Sequence, residues 1–123
     1  MTDDSFEQLR QQLAEFAAVR DWEQFHSPKN LAMALIGEAA EIIEHFQWLS
    51  EAQSYELAPD KRQAVSYELA DVLIYLIRLA DKLQIDLLAA TRAKIDMNEI
   101  RYPAILVKGD ARRAGEYFTE DAK

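Results

Sequence analysis

A chain of 123 residues, half of them hydrophobic, is the size of one domain and can bury a modest core. Its 22 Asp and Glu against 14 Lys and Arg leave a net charge of −8, which argues against a nonspecific nucleic-acid binder or a binder of anionic membranes. With no cysteine, disulfide frameworks, thiolate metal sites and cysteine nucleophiles drop out as well. The opening Met1-Thr2-Asp3-Asp4-Ser5 lacks the basic and apolar segments of a secretory signal. The run from Val72 to Ile77, as long as any clean apolar run in the chain, is too short for a membrane span, and a cytoplasmic setting is expected.

Glycine and proline are sparse, alternating strand patterns are missing, and apolar residues recur at three and four, which predicts an all-α fold built as a four-helix bundle. The first helix is expected from about Ser5 to Arg20, with Phe6, Leu9, Leu13 and Phe16 on one stripe. Asp21 to His26 breaks the pattern. Ser27-Pro28 then starts the second helix, because serine caps orphan N–H groups and proline suits the first helical position; it is expected to run to about Leu49. Ser50 to Asp60 reads as a polar connecting loop. The third helix follows, from about Asp60 to Leu83, and its run from Val72 to Ile77 is apolar on all sides, which predicts burial on more than one face. Asp86 caps a fourth helix that must end before Pro103. Residues 1–103 are therefore expected to be the functional domain, and 104–123 a polar, partly flexible tail.

Charge is distributed unevenly. Residues 38–71 hold eight acids against only Lys61 and Arg62, whereas 92–113 hold six bases against three acids. Inside the acidic block, Glu38-Ala-Ala-Glu41 lies on helix two and Glu68-Leu-Ala-Asp71 on helix three. A three-residue step leaves two side chains about 60° apart on adjacent turns, so each pair projects from one face. Their neighbours are apolar: Leu35, Ile36, Ile42 and Ile43 around the first pair, and Leu69, Val72 and Leu73 around the second. Carboxylates in such surroundings are costly unless paired or bound to a cation. A hard divalent ion satisfies four of them, and Mg²⁺ suits carboxylates together with a substrate's phosphates. The bland alternative is a solvated acidic stripe, or pairing with Lys94 and Arg78. A di-iron centre needs Glu-x-x-His on two helices and fails on ligand count, since the chain has only two histidines.

A second constellation is Asp21-Trp-Glu-Gln-Phe-His26 with Trp48 at the end of helix two. Trp22, Phe25, His26 and Trp48 offer flat surfaces for stacking a base, and Glu23, Gln24 and His26 can read its hydrogen-bonding edge. Tyr75 lies one turn beyond Asp71 on the same helix face. Lys94, Asn98, Arg101 and Tyr102 form a strip suited to phosphates on helix four.

These residues resemble the MazG-like superfamily of all-α nucleoside triphosphate pyrophosphohydrolases, whose signature couples Glu-x-x-Glu with Glu-x-x-Asp. Arg20-Asp-Trp-Glu-Gln-Phe-His26, Asn30-Leu31, Phe46-Gln-Trp48, Asp71-Val-Leu-Ile-Tyr75 and Arg101-Tyr-Pro103 bring the resemblance closer still to its dCTP pyrophosphatase branch, over about residues 5–105. The resemblance implies Mg²⁺-dependent hydrolysis of dCTP, or of 5-modified dCTP, to the monophosphate and pyrophosphate. It also implies a homotetramer with active sites at subunit contacts and a role in cleaning the nucleotide pool. It assigns metal binding to Glu38, Glu41, Glu68 and Asp71. Nucleotide binding falls to Trp22, Glu23, Gln24, Phe25, His26, Trp48 and Tyr75, and phosphate binding to Lys94, Asn98 and Tyr102. Water activation falls to Glu41 or Glu38. Two positions depart from the pattern: Gly37 stands where the superfamily often has a further Glu, and Leu13 where a relative carries a histidine near the substrate. The rival readings are a broad-specificity triphosphate pyrophosphohydrolase and a non-catalytic acidic helical module that packs against a partner protein.

Overall fold

The computed structural model describes residues 4–112 and 116, and among them it contains helices and turns but no strand. No described helix is long and apolar enough to cross a membrane. The chain divides between Ile85 and Asp86 into two compact units. The first contains α1 (Asp4–Val19), a 3-10 turn (Glu23–Phe25), α2 (Pro28–Phe46), the short α3 (Glu51–Ser54) and α4 (Pro59–Lys82). The second contains α5 (Leu87–Arg101) and the one-turn α6 (Ala104–Val107).

The helix starts follow their local chemistry. Ser27 precedes Pro28 and accepts a bond from the Asn30 amide at 3.1 Å, while the Asn30 side chain donates to the Phe25 carbonyl at 3.1 Å. The start of α2 thus also holds the preceding aromatic turn. Asp86 accepts from the Ala89 amide at 3.0 Å to open α5. Two expectations change. The segment after Ser50 is not purely loop, because Ser50 and Gln53 bond reciprocally and the resulting capping box closes the α3 turn. Ala104–Val107 is helical where a polar tail was expected, and half of that tail lies outside the described residues.

Both α1 and α4 end in Schellman motifs closed by non-glycine residues. Asp21 (φ 55°) and Gln84 (φ 58°) adopt the left-handed conformation. After each of them the next amide reaches back into the helix, Trp22 to the Ala17 carbonyl at 2.9 Å and Ile85 to the Ala80 carbonyl at 2.8 Å. The first of these turns places Trp22 back over α1.

The core of the first unit forms where α4 packs against α1 and, more extensively, against α2. Ala17, Leu31, Val65, Ile77 and Ala80 are buried. Within Val72 to Ile77 only Ile77 is fully covered, and Leu73 and Ile74 stay exposed on the single chain. Expected burial on several faces is therefore met on one face only.

Leu31 is 1% exposed, so Leu31→Ala should cost about 2–5 kcal/mol of unfolding free energy in denaturant titration. Gln84→Gly should instead stabilise by roughly 1 kcal/mol, since glycine occupies the left-handed position without the Cβ penalty.

Candidate active site

The two carboxylate pairs are presented by the two helices that pack most closely, α2 and α4. Glu38, Glu41 and Glu68 converge: each offers one oxygen, and these three oxygens lie within 4.8 Å of one another. Asp71 is not part of that triplet but is near enough for its charge to act on Glu38 and Glu68. Crowding of like charge shows in protonation. A hydrogen bond that protonated Glu68 donates to Glu41, then burial, then repulsion by Glu41, Glu38 and Asp71 push the Glu68 carboxyl up to about 7. Burial, followed by the charges of Glu41 and Asp71, raises Glu38 as well. Glu68 Oε2 is buried with no hydrogen-bond partner, and His45 Nε2 lies 3.9 Å from Glu68 Oε1. Three converging carboxylates with an orphaned buried oxygen suit a hard divalent cation.

On the same side of α4, Tyr75 and Arg78 continue the series Glu68, Asp71 at steps of four and three. They border a cavity of about 180 Å³ walled by Leu13, Phe16, Trp22, His26 and Ile74. Its aromatic wall is ordered. Phe16 meets Trp22 edge to face at 5.7 Å, Trp22 lies 6.2 Å from the His26 ring, and the Arg20 guanidinium sits 3.5 Å above the Phe16 ring. A cavity of about 150 Å³ takes a benzene ring, so this one has room for a single six-membered ring.

Of the residues expected to bind the base, Trp22, His26 and Tyr75 come together here. Glu23, Gln24, Phe25 and Trp48 do not line the cavity. Glu23 is instead tied to Arg78 at 2.8 Å and to Lys82, and the Gln24 amide donates to the Asp21 carbonyl and carboxylate at 3.0 and 3.1 Å. Trp48 projects from the turn after α2 and is 87% exposed. Lys94, Asn98 and Tyr102 belong to the second unit, on α5 and its C-terminal cap.

Residues 35–116 match the MazG-like family. The chain is 50% identical to dCTP pyrophosphatase 1 of Rattus norvegicus over 109 residues, which is 87% of this chain and 64% of that protein. It is 46% identical to dCTP pyrophosphatase 1 of Homo sapiens over 114 residues, 91% of this chain and 67% of that protein. A solved pyrophosphatase from Archaeoglobus fulgidus is 38% identical with a TM-score of 0.78, covering 84% of this chain and 96% of that one. The chain belongs to the MazG-like family.

The MazG-like carboxylates stand out in the sequence because their spacing is periodic. Phe16, Ala17 and Ile74 enter the cavity without any such signal, being ordinary apolar positions. Arg78 had one: it is the sole charge between Val72 and Ala80, yet it is buried, at 3% exposure. It pairs with Glu23 and Asp81, and so does not neutralise the MazG-like acids.

The raised Glu68 carboxyl makes the cluster pH-sensitive. Between its ordinary value of 4.5 and about 7 the folded state holds a proton that the unfolded chain has lost. That contribution to stability is complete below 4.5 and vanishes as pH rises through 7. In chelator, thermal melts should therefore show Tm falling over this window more for the wild type than for Glu68→Gln, and a divalent cation should restore the wild-type Tm at the alkaline end.

Proposed function

We propose that this chain hydrolyses dCTP, and 5-modified dCTP, to dCMP and pyrophosphate with Mg²⁺, as a cytoplasmic enzyme that cleans the nucleotide pool. The observation that carries the reading is a convergent carboxylate triplet whose α4 member, Glu68, shares a helix face with Tyr75 of a cavity that has room for one pyrimidine ring. The resemblance to dCTP pyrophosphatase 1 over most of the chain supports the substrate.

In this reading residues 1–103 form the catalytic domain. Glu38, Glu41, Glu68 and Asp71 hold Mg²⁺, which when bound neutralises phosphate charge and makes a coordinated water more acidic. Trp22, His26 and Tyr75 hold the pyrimidine in the cavity. Glu23 and Gln24 contribute by bracing the turn that carries Trp22. Lys94, Asn98 and Tyr102 contact the phosphates. A carboxylate oxygen of Glu41, the most exposed of the triplet, takes the proton as water oxygen bonds to the α-phosphorus; Glu38 is the second choice. The bond from the α-phosphorus to the bridging oxygen breaks in line, and pyrophosphate leaves with that electron pair.

The assembly proposed is a homotetramer of four-helix bundles. Exposed Ile36, Ile43, Leu73, Ile74, Phe25 and Trp48 favour it, since a single chain leaves these apolar side chains in water. Phe25 and Trp48 then complete the nucleotide site across a subunit contact.

The purified protein with dCTP and Mg²⁺ should release dCMP and pyrophosphate, and turn over dATP and dGTP far more slowly. Glu38→Gln and Asp71→Asn should keep the helical circular dichroism spectrum and lower kcat/KM by roughly a hundredfold or more. Full activity in both variants, or equal turnover of purine and pyrimidine triphosphates, contradicts the assignment.

A further inference from the structure

The 3-10 turn is held from beneath by one buried cation. The Arg78 side chain is 4% exposed, and its guanidinium spans three partners. Nη2 donates to Glu23 Oε1 at 2.8 Å, Nη1 to Asp81 Oδ2 at 3.4 Å, and Nε to His26 Nδ1 at 3.4 Å, with Nη2 also 3.3 Å from that nitrogen. Glu23 is shared with Lys82, and Asp81 with Arg10 of α1 at 3.0 Å. Two carboxylates thus already compensate the Arg78 charge, which argues against a role for it as a phosphate ligand.

The contact with His26 has a chemical consequence. A guanidinium has only donors, so the Nδ1 it faces must be an acceptor and carry no proton. A neutral imidazole with bare Nδ1 bears its proton on Nε2. Burial, and after it the Arg78 charge, keep His26 below the usual histidine range, against the opposing pull of Glu23. His26 is also a wall of the cavity that Trp22 and Tyr75 share.

We propose that Arg78 is a positioning residue for base recognition: by occupying His26 Nδ1 it locks the ring in the Nε2–H tautomer and turns His26 into a hydrogen-bond donor for a pyrimidine's acceptor edge. Cytosine presents such an edge in O2 and N3. The proposal rests on the dCTP reading for the identity of the base, but the state of the imidazole does not. A structural brace alone would hold the turn in place equally well with either tautomer, so the tautomer separates the two roles.

The first measurement is the nitrogen-15 imidazole spectrum of the wild-type protein at neutral pH, without substrate. The chain has two histidines, and loss of signals in His26→Ala assigns them. His26 should show a pyridine-type Nδ1 and a pyrrole-type, protonated Nε2; a protonated Nδ1 overturns the proposal. Arg78→Met should yield a mixture of tautomers. It should also raise KM for dCTP about tenfold while kcat stays within about twofold, as expected for one lost binding hydrogen bond. In the His26→Ala background the same substitution should move KM less than about twofold; an equal cost in both backgrounds means Arg78 acts independently of His26 and overturns the proposal. Arg78→Gln, whose amide can either donate or accept and so does not fix the tautomer, serves if Arg78→Met does not fold, with the same direction expected in spectrum and KM. Absence of dCTP turnover with an Nε2-protonated His26 overturns the substrate reading and the base contact with it, whereas intact turnover with an Nδ1-protonated His26 overturns the role of Arg78 alone.

Discussion

Packing of α2 against α4 is the constraint on which the site depends, because it forces like charges together. Glu38, Glu41 and Glu68 approach within 4.8 Å only because apolar burial at Leu31, Val65 and Ile77 holds their helices in contact. The crowding then appears in the protonation of the cluster: the hydrogen bond to Glu41, burial and repulsion together push Glu68 up to about 7, and one of its oxygens is left without a partner. A core that builds such a concentration of negative charge stores an affinity for cations. The same helix pair thus explains both the fold's main contact and its chemistry.

The opposite end of that α4 face is managed differently. Around Arg78 the charges alternate, with Arg10, Asp81, Arg78, Glu23 and Lys82 linked in one chain of ion pairs. Removing one member of such a network leaves its neighbours short of a partner, so the ensemble favours a single arrangement of the turn between α1 and α2. The two ends of the face therefore differ in kind: the carboxylate end is uncompensated and open to a cation, and the Arg78 end is compensated and rigid. The apolar cavity belongs to the Arg78 end, with Arg78 and His26 in its wall.

Much of the surface remains apolar. Met33, Ile36 and Ile43 recur along α2, and Leu69 and Leu73 along α4, all exposed on the single chain. An acidic chain with net charge −8 is protected from indiscriminate association by self-repulsion, yet these stripes are broad enough to be covered by defined partners. Trp48, just beyond the end of α2, is 87% exposed as well.

Sequence alone determined the helical class, the starts of α2 and α5 and the two carboxylate pairs, because caps, periodicity and three-residue spacing are local properties written in adjacent residues. It also singled out Trp22, His26 and Tyr75, which do meet in one cavity. It read the segment after Ser50 as loop because the reciprocal Ser50–Gln53 bonds act over a single turn, below the length at which periodicity is visible. Only the tertiary structure decided which carboxylates converge, leaving Asp71 outside the triplet, since that depends on the rotation of α4 against α2. Tertiary contacts also turned Glu23 from a candidate base reader into the partner of Arg78, across 55 residues of chain. No local pattern encodes such a pairing, because its energy exists only once the turn has been folded onto α4.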